Sequence, residues 1–211
     1  MIVLLLLLLH IFSVAAVPQG FVDEGVATIL AINGLFAPNP RNFGKPMLLV
    51  SSKEGSVNIL EDPDNSEIVL KVADFNSIIC TNGPRGVYSI VAHPDFMLNR
   101  FIFIYYTRIA PGCLESATLG PSQRLSRFTL NRLTLQIDLK SEVVLLETPP
   151  SAIILHDGGG MFIGKDRFLY LAIGDGGIPD YAQDMRNLYG KLIRLDLLGN
   201  EIGRASCRER V

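Results

Sequence analysis

Short apolar or alternating runs, separated by turn residues, dominate the chain after residue 40. They are rich in Val, Ile, Phe and Tyr and are bounded by Gly, Pro, Asn and Asp, a pattern typical of β-strands. No run between them has a convincing helical period, which excludes a βαβ fold and predicts an all-β fold. The predicted strands cover residues 47–50, 56–60, 68–72, 87–92, 101–107, 124–130, 142–146, 160–163, 168–174 and 192–197.

These strands also form a repeat in which an apolar strand, a turn and an alternating strand follow one another. The repeat occurs in 45–61, in 99–108 with 123–130, and in 166–175 with 190–197. Its spacing of about 55–65 residues is a little above the range of β-propeller blades. A propeller blade is a four-stranded sheet that packs on its neighbours. A partial propeller of roughly three blades is therefore predicted, with a β-sandwich as the alternative.

The N-terminus reads MIVLLLLLLHIFSVAAVPQG. An apolar run over residues 2–9, followed by small residues at 13–16, predicts a secretory signal peptide over residues 1–16 and a secreted protein. The run is shorter than the about 20 residues that cross a membrane. An uncleaved signal is the alternative, and it would be the only membrane attachment expected.

The last eleven residues, 201–211, read EIGRASCRERV. This string resembles the translation of a common sequencing adapter in one reading frame. We therefore interpret 201–211 as non-native and 17–200 as the N-terminal part of a larger propeller; a genuine basic tail is the alternative. Genomic sequence beyond the codon for Asn200 tests this interpretation.

The composition is 48% hydrophobic with a formal net charge of −2, as in a packed globular protein. It offers no basic face for nucleic acid, so no nucleic-acid partner is predicted. If Cys207 is non-native, two cysteines remain, Cys80 and Cys113, in a chain predicted to reach an oxidising compartment. They can form a disulfide or remain two buried thiols.

Four motifs follow one another in the chain. They are GVYSIVAHPDF at 86–96 with NRFIFIYYT at 99–107, LSRFTL at 125–130, HDGGGMFIGKDRFLYLAIGDGG at 156–177, and LYGKLIRLD at 188–196. In this order they resemble the glucose/sorbosone dehydrogenase family, over roughly residues 44–199. That family includes soluble quinoprotein sugar dehydrogenases and the propeller domain of hedgehog-interacting-like proteins. The resemblance implies a six-bladed propeller, of which this chain holds a part.

The resemblance also implies a catalytic pair, in which His156 is the base and Asp175 accepts a hydrogen bond from it. It further implies pyrroloquinoline quinone (PQQ) and calcium as cofactors, with their main ligands beyond residue 200. No metal ligand is assigned within this chain.

The chemistry of these residues agrees with the implied roles. Oxidation of a sugar needs a base for the hydroxyl proton, and imidazole has a suitable pKa if its second nitrogen donates to a carboxylate. His156 and Asp175 are one hairpin apart in sequence. Gly158, Gly159 and Gly160 remove side chains beside the base, which lets a planar cofactor approach closely.

Simpler interpretations exist for the same residues. His156 and Asp175 can each be ordinary turn residues. Asp175, Asp180 and Asp184 can form a calcium loop, although their spacing matches no EF-hand. Lys191 alternates with apolar residues and is expected on a solvated or rim face.

The predicted function is that of a secreted quinone-dependent sugar or aldose dehydrogenase, with hydride passing to the quinone while His156 takes the hydroxyl proton. The alternative is a non-catalytic extracellular propeller that binds a protein or carbohydrate ligand, as the hedgehog-interacting-like resemblance implies.

Overall fold

The computed structural model describes residues 31, 33–62, 69–109, 113 and 120–206. The predicted signal peptide over 1–16 and Cys207 lie outside the described residues. The described chain folds into strands with two short helices. Their bounds are β1 Asn33–Pro38, β2 Pro46–Ser51, β3 Ser56–Leu60, β4 Val69–Asp74, β5 Val87–Ala92, α1 Phe96–Asn99, β6 Phe101–Thr107, β7 Gln123–Leu130, β8 Ile137–Glu147, β9 Gly158–Ile163, β10 Leu169–Ile173, α2 Pro179–Gln183, β11 Lys191–Leu195 and β12 Glu201–Ser206.

The strands form three antiparallel sheets of four, each made of consecutive strands: β1–β4, β5–β8 and β9–β12. The first strands of successive sheets lie side by side, β1 against β5 and β5 against β9. Each sheet is thus one blade, and the blades follow one another around a common centre. The all-β, partial-propeller prediction is confirmed, and the two-layer sandwich does not form.

Two hydrophobic cores fill the spaces between the blades. Strand β6 contributes side chains to both cores, because its successive side chains point to opposite faces of the sheet. Ile102 and Ile104 pack toward the first blade, whereas Phe103 and Tyr105 pack toward the third. The unbroken apolar run of this strand, which the sequence pointed to, therefore reflects burial on both faces.

The sequence repeat corresponds to the middle two strands of each blade, namely β2–β3, β6–β7 and β10–β11. The outer strands are less regular: β1 and β12 were not predicted, and β8 begins five residues before its predicted start. Strand β12 pairs antiparallel with β11, with Leu192 opposite Ala205 and Arg194 opposite Gly203. The interpretation of residues 201–211 as non-native stays a prediction, which genomic sequence will test.

Cys80 and Cys113 form a disulfide, with their Cα atoms 5.6 Å apart. This resolves the open choice between a disulfide and two thiols. The bridge joins the segment before β5 to the connection between β6 and β7. Neither of the two described helices is long and apolar enough to cross a membrane.

Candidate functional site

His156 lies in the connection from the second blade to the third, two residues before β9 begins. Its φ of 57° places it in the left-handed region, which is uncommon for a residue with a Cβ. The His156 carbonyl accepts a hydrogen bond of 3.2 Å from the Gly176 amide. The backbone of the histidine is therefore tied directly to the loop that follows β10.

The same loop brings Asp175 to the histidine ring, 2.8 Å from Asp175 Oδ1 to His156 Nδ1. Burial acts to raise the pKa of Asp175, but hydrogen bonds from the Gly177 amide and the His156 ring outweigh it and lower that pKa below its usual range. Asp175 is thus ionised at neutral pH. Because a carboxylate only accepts hydrogen bonds, the neutral form of this imidazole carries its proton on Nδ1 and has a lone pair on Nε2.

Exposure differs between the two members of the pair. The His156 side chain is 63% exposed and that of Asp175 24% exposed. The ring can therefore meet a substrate from solvent, while the carboxylate that orients it is set further back. The structure thus brings the two predicted site residues together, although their catalytic roles stay predictions.

Glycines make this meeting of two strand ends possible. A Cβ on Gly174 would lie 1.7 Å from the His156 carbonyl oxygen, and one on Gly158 would lie 2.4 Å from the Gly174 amide nitrogen. No side chain fits in either place. The two backbones approach so closely that only glycine is possible at these positions.

The three glycines predicted to face a cofactor occupy different surroundings. Gly159 is buried, and a Cβ there would lie 2.4 Å from Tyr88 Cβ, so its lack of a side chain has a packing reason. Gly158 and Gly160 are exposed, and a Cβ on Gly160 would have Ala172 Cβ, 4.0 Å away, as its nearest neighbour. Gly160 thus leaves open surface along β9, and cofactor contact at these glycines stays a prediction.

Next to the exposed pair in sequence is a half-buried polar group that the sequence reasoning missed. Asp157, next to His156, accepts a 2.6 Å hydrogen bond at Oδ1 from Gln123 Nε2 of the second blade. Gln123 Oε1 in turn accepts a hydrogen bond from the buried Tyr105 hydroxyl. An acid inside a glycine-rich stretch was a visible signal, but its partner is 34 residues away and no local pattern connects them.

Arg85 holds the segment that leads to His156. It is only 2% exposed, and its Nη2 donates to the backbone carbonyls of Ser151 (2.9 Å) and Ile153 (3.3 Å). The cation is therefore occupied with main-chain oxygens of the connection between the second and third blades.

Lys191 is buried, at 1% exposure, so the expectation of a solvated or rim position was wrong. Its Nζ donates to the carbonyls of Tyr181 (2.6 Å), Ala182 (3.1 Å) and Tyr189 (2.9 Å). These oxygens replace the water that an exposed ammonium would have, which is why a lysine is tolerated inside.

The predicted alternative of a calcium loop gains no support from the acidic residues near the pair. Asp184 binds the Arg186 side chain at 3.0 Å. Within the described part of the chain, no three His, Cys, Asp or Glu side chains are grouped to hold a metal ion. Calcium stays an implication of the resemblance.

Comparisons with known proteins identify the family of this chain. Residues 41–204 match the family model of Glucose / Sorbosone dehydrogenase. The chain is 30% identical to the human Hedgehog-interacting protein over 166 residues, covering 73% of this chain and 23% of that protein. It is 31% identical to quinoprotein glucose dehydrogenase B of Acinetobacter calcoaceticus over 139 residues, covering 56% and 28%.

Solved structures give the same fold. The PQQ-bound aldose sugar dehydrogenase of Streptomyces coelicolor superposes with a TM-score of 0.64 at 21% identity, over 83% of this chain and 48% of that one. The chain thus spans about a quarter of the curated relatives it matches and about half of the solved ones.

Three four-stranded blades, with a histidine–carboxylate pair where the third blade begins, define the chain as a partial β-propeller. The chain belongs to the glucose/sorbosone dehydrogenase family, whose model it matches over most of its length.

Proposed function

We propose that this chain is the N-terminal part of a secreted, quinone-dependent sugar dehydrogenase in which His156 is the general base. The observation that carries the proposal is the 2.8 Å contact between the exposed His156 ring and the ionised Asp175. The sugar and the quinone come from two relatives, a quinoprotein glucose dehydrogenase and a PQQ-bound aldose sugar dehydrogenase.

In this proposal the protein's own groups move one proton. Nε2 of His156 accepts it from the sugar hydroxyl, while Nδ1 stays bonded to Asp175 and the carboxylate stabilises the imidazolium that forms. When bound, the quinone accepts the hydride. Base catalysis of this kind contributes about 10²–10⁴-fold to the rate.

The described residues fit a planar quinone in one respect. The exposed backbone at Gly160, where a Cβ would have no neighbour closer than 4.0 Å, offers room for a flat ring. Arg85 and Lys191, two buried cations of the described chain, are occupied with backbone carbonyls. Cations that neutralise the carboxylates of PQQ, and the ligands of calcium, are expected from other residues of the propeller.

Secretion is part of the proposal and rests on two features. One is the signal-like sequence over residues 1–16. The other is the Cys80–Cys113 disulfide, because disulfides persist mainly in oxidising compartments. N-terminal sequencing of protein from culture medium should find a start near residue 17, and a start at Met1 would contradict cleavage.

The catalytic proposal is tested in the protein that contains the complete propeller. Replacing His156→Ala should lower kcat by about 10²–10⁴-fold, while folding, followed by circular dichroism, is kept. The matched control is His93→Gln, in the turn before α1, which should leave turnover per folded molecule unchanged. Equal turnover for the wild type and His156→Ala would remove the assignment.

A non-catalytic binding protein is the second candidate, and it is favoured by one observation. The match to the Hedgehog-interacting protein covers 73% of this chain, against 56% for the quinoprotein. Adding PQQ and calcium to the complete protein distinguishes the candidates. A bound chromophore after gel filtration supports the dehydrogenase, and its absence supports a propeller that binds a protein or carbohydrate.

A further inference from the structure

The segment that carries His156 is fixed to the second blade by a hydrogen bond from a side chain. Gln123 lies at the start of β7, and its Nε2 reaches across to Asp157 Oδ1 at 2.6 Å. We call this contact the Gln123–Asp157 link. It joins the residue next to His156 to the second blade.

Both ends of the link are held in place. The backbone of Gln123 exchanges two hydrogen bonds of 2.9 Å with Thr148. Its Oε1 accepts from Tyr105, whose hydroxyl lies in the core between the second and third blades. Because the Asp157 carboxylate only accepts, the amide has one orientation that satisfies both neighbours.

The environment makes the link strong. The Asp157 Oδ2 atom is buried, and the charge of this carboxylate reaches Tyr88, whose pKa is raised first by burial and then by Asp157. A hydrogen bond to a charged group in such surroundings stabilises more than one between neutral groups. Breaking it removes the amide donor from a carboxylate whose Oδ2 is buried, and it releases Asp157 from the second-blade strand β7.

The backbone that would move is that of the catalytic pair. The Asp157 carbonyl accepts from the Gly174 amide (3.1 Å), and the His156 carbonyl accepts from the Gly176 amide (3.2 Å). These bonds lie on either side of Asp175. A shift of Asp157 therefore displaces the left-handed His156 relative to Asp175, and a 2.8 Å ring contact does not survive a displacement of about 1 Å.

We propose that Asp157 is a positioning residue, which through its hydrogen bond from Gln123 holds the His156 ring with Nδ1 on Asp175. Its consequence for turnover rests on the proposed function of His156. The positioning itself does not, and it can be measured without substrate or quinone.

The experiment reads the proton on the ring. ¹⁵N NMR of selectively labelled histidine, at a pH where the ring is neutral, distinguishes the Nδ1–H form from the Nε2–H form, and a His156→Gln variant assigns the signal. A ring held on Asp175 carries its proton on Nδ1, whereas a ring without a partner there prefers Nε2–H.

Three variants reverse or retain the polarity of the link. Gln123→Glu sets one carboxylate against another and should lose the Nδ1–H form of His156. Asp157→Asn still accepts from Gln123 and should keep it. The double variant Asp157→Asn/Gln123→Glu restores a donor–acceptor pair and should regain it. Gln136→Glu is the matched control, because it removes an exposed 3.2 Å amide bond to the Lys71 carbonyl in another part of the structure.

The outcomes are separable. A folded Gln123→Glu that retains the Nδ1–H form overturns the proposal, and so does a double variant that fails to regain it. If Gln123→Glu does not fold, Gln123→Met, of similar volume and without a donor, is read in the same way. As a second readout, the pKa of the Asp175 carboxyl should rise in the variants that lose the His156 contact. If His156 proved not to be the base, these spectra would be unaffected.

Discussion

Reduction of the Cys80–Cys113 disulfide should destabilise the chain mainly through the unfolded state. The two cysteines are 33 residues apart, and loop-closure entropy for that separation gives about 3.7 kcal/mol at 25 °C. For a chain of this size, a loss of that magnitude lowers Tm by about 7–15 °C.

The folded state should survive the reduction because other bonds hold the same segments. The Cys80 amide donates to the Thr107 carbonyl at 2.9 Å, and Ile79 forms an antiparallel bridge with Arg108. These bonds continue the pairing beyond the end of β6. The disulfide therefore limits the freedom of the unfolded chain more than it shapes the native one.

Urea unfolding with and without dithiothreitol measures the effect. The chain has no tryptophan and six tyrosines, so far-UV circular dichroism and tyrosine fluorescence are the suitable probes. Cys80→Ala/Cys113→Ala should lose about 1 kcal/mol more than the reduced wild type, because Cys80 is fully buried and its sulfur leaves a small cavity. Cys207→Ser is the control and should not alter the midpoint. Equal midpoints for oxidised and reduced wild type would refute the entropic reasoning.

The remaining predictions concern the surroundings of the pair. Gly159→Ala should cost about 3 kcal/mol, because its Cβ would lie 2.4 Å from Tyr88 Cβ, whereas Gly160→Ala should stay within about 0.5 kcal/mol, as urea midpoints will show. Lys191→Met should cost about 3 kcal/mol in the same assay, because three carbonyls lose their donor. Asp175, with its pKa lowered on folding, contributes stability above its unfolded pKa of about 3.9 and loses it as the pH falls through the lower folded value. The stability difference between wild type and Asp175→Asn should therefore shrink below about pH 4.

The blades could be predicted from the sequence because their middle strands carry a local signal. A strand buried on both faces, such as β6, is apolar at consecutive positions, and it is followed by β7, which mixes polar and apolar residues. Strand β1, NGLFAP, has neither feature. It is recognised as a strand only through its pairing with β2, which is a contact between segments and not a property of either one.

The candidate pair was predicted from the family resemblance, and the local sequence agreed with it. His156 and Asp175 stand at the two ends of one hairpin, so their distance depends on a few residues of local backbone. The Gln123–Asp157 link was not predictable, because it depends on how the second blade sits on the third. The prediction for Lys191 was wrong because it also depends on contacts between segments. The carbonyls that surround its ammonium group come from α2 and the turn after it, and the alternating pattern of its own strand does not indicate them.

The glycine-rich stretch shows how one sequence signal can have two physical causes. A glycine can be required because a ligand must come close or because the protein's own backbone already does. At Gly158 and Gly174 the second cause is sufficient, since their missing Cβ atoms would overlap neighbouring main-chain atoms. Gly160 has no such neighbour, so packing does not explain its lack of a side chain. Among these glycines, Gly160 is therefore the position where a substitution compatible with folding can report on a bound cofactor.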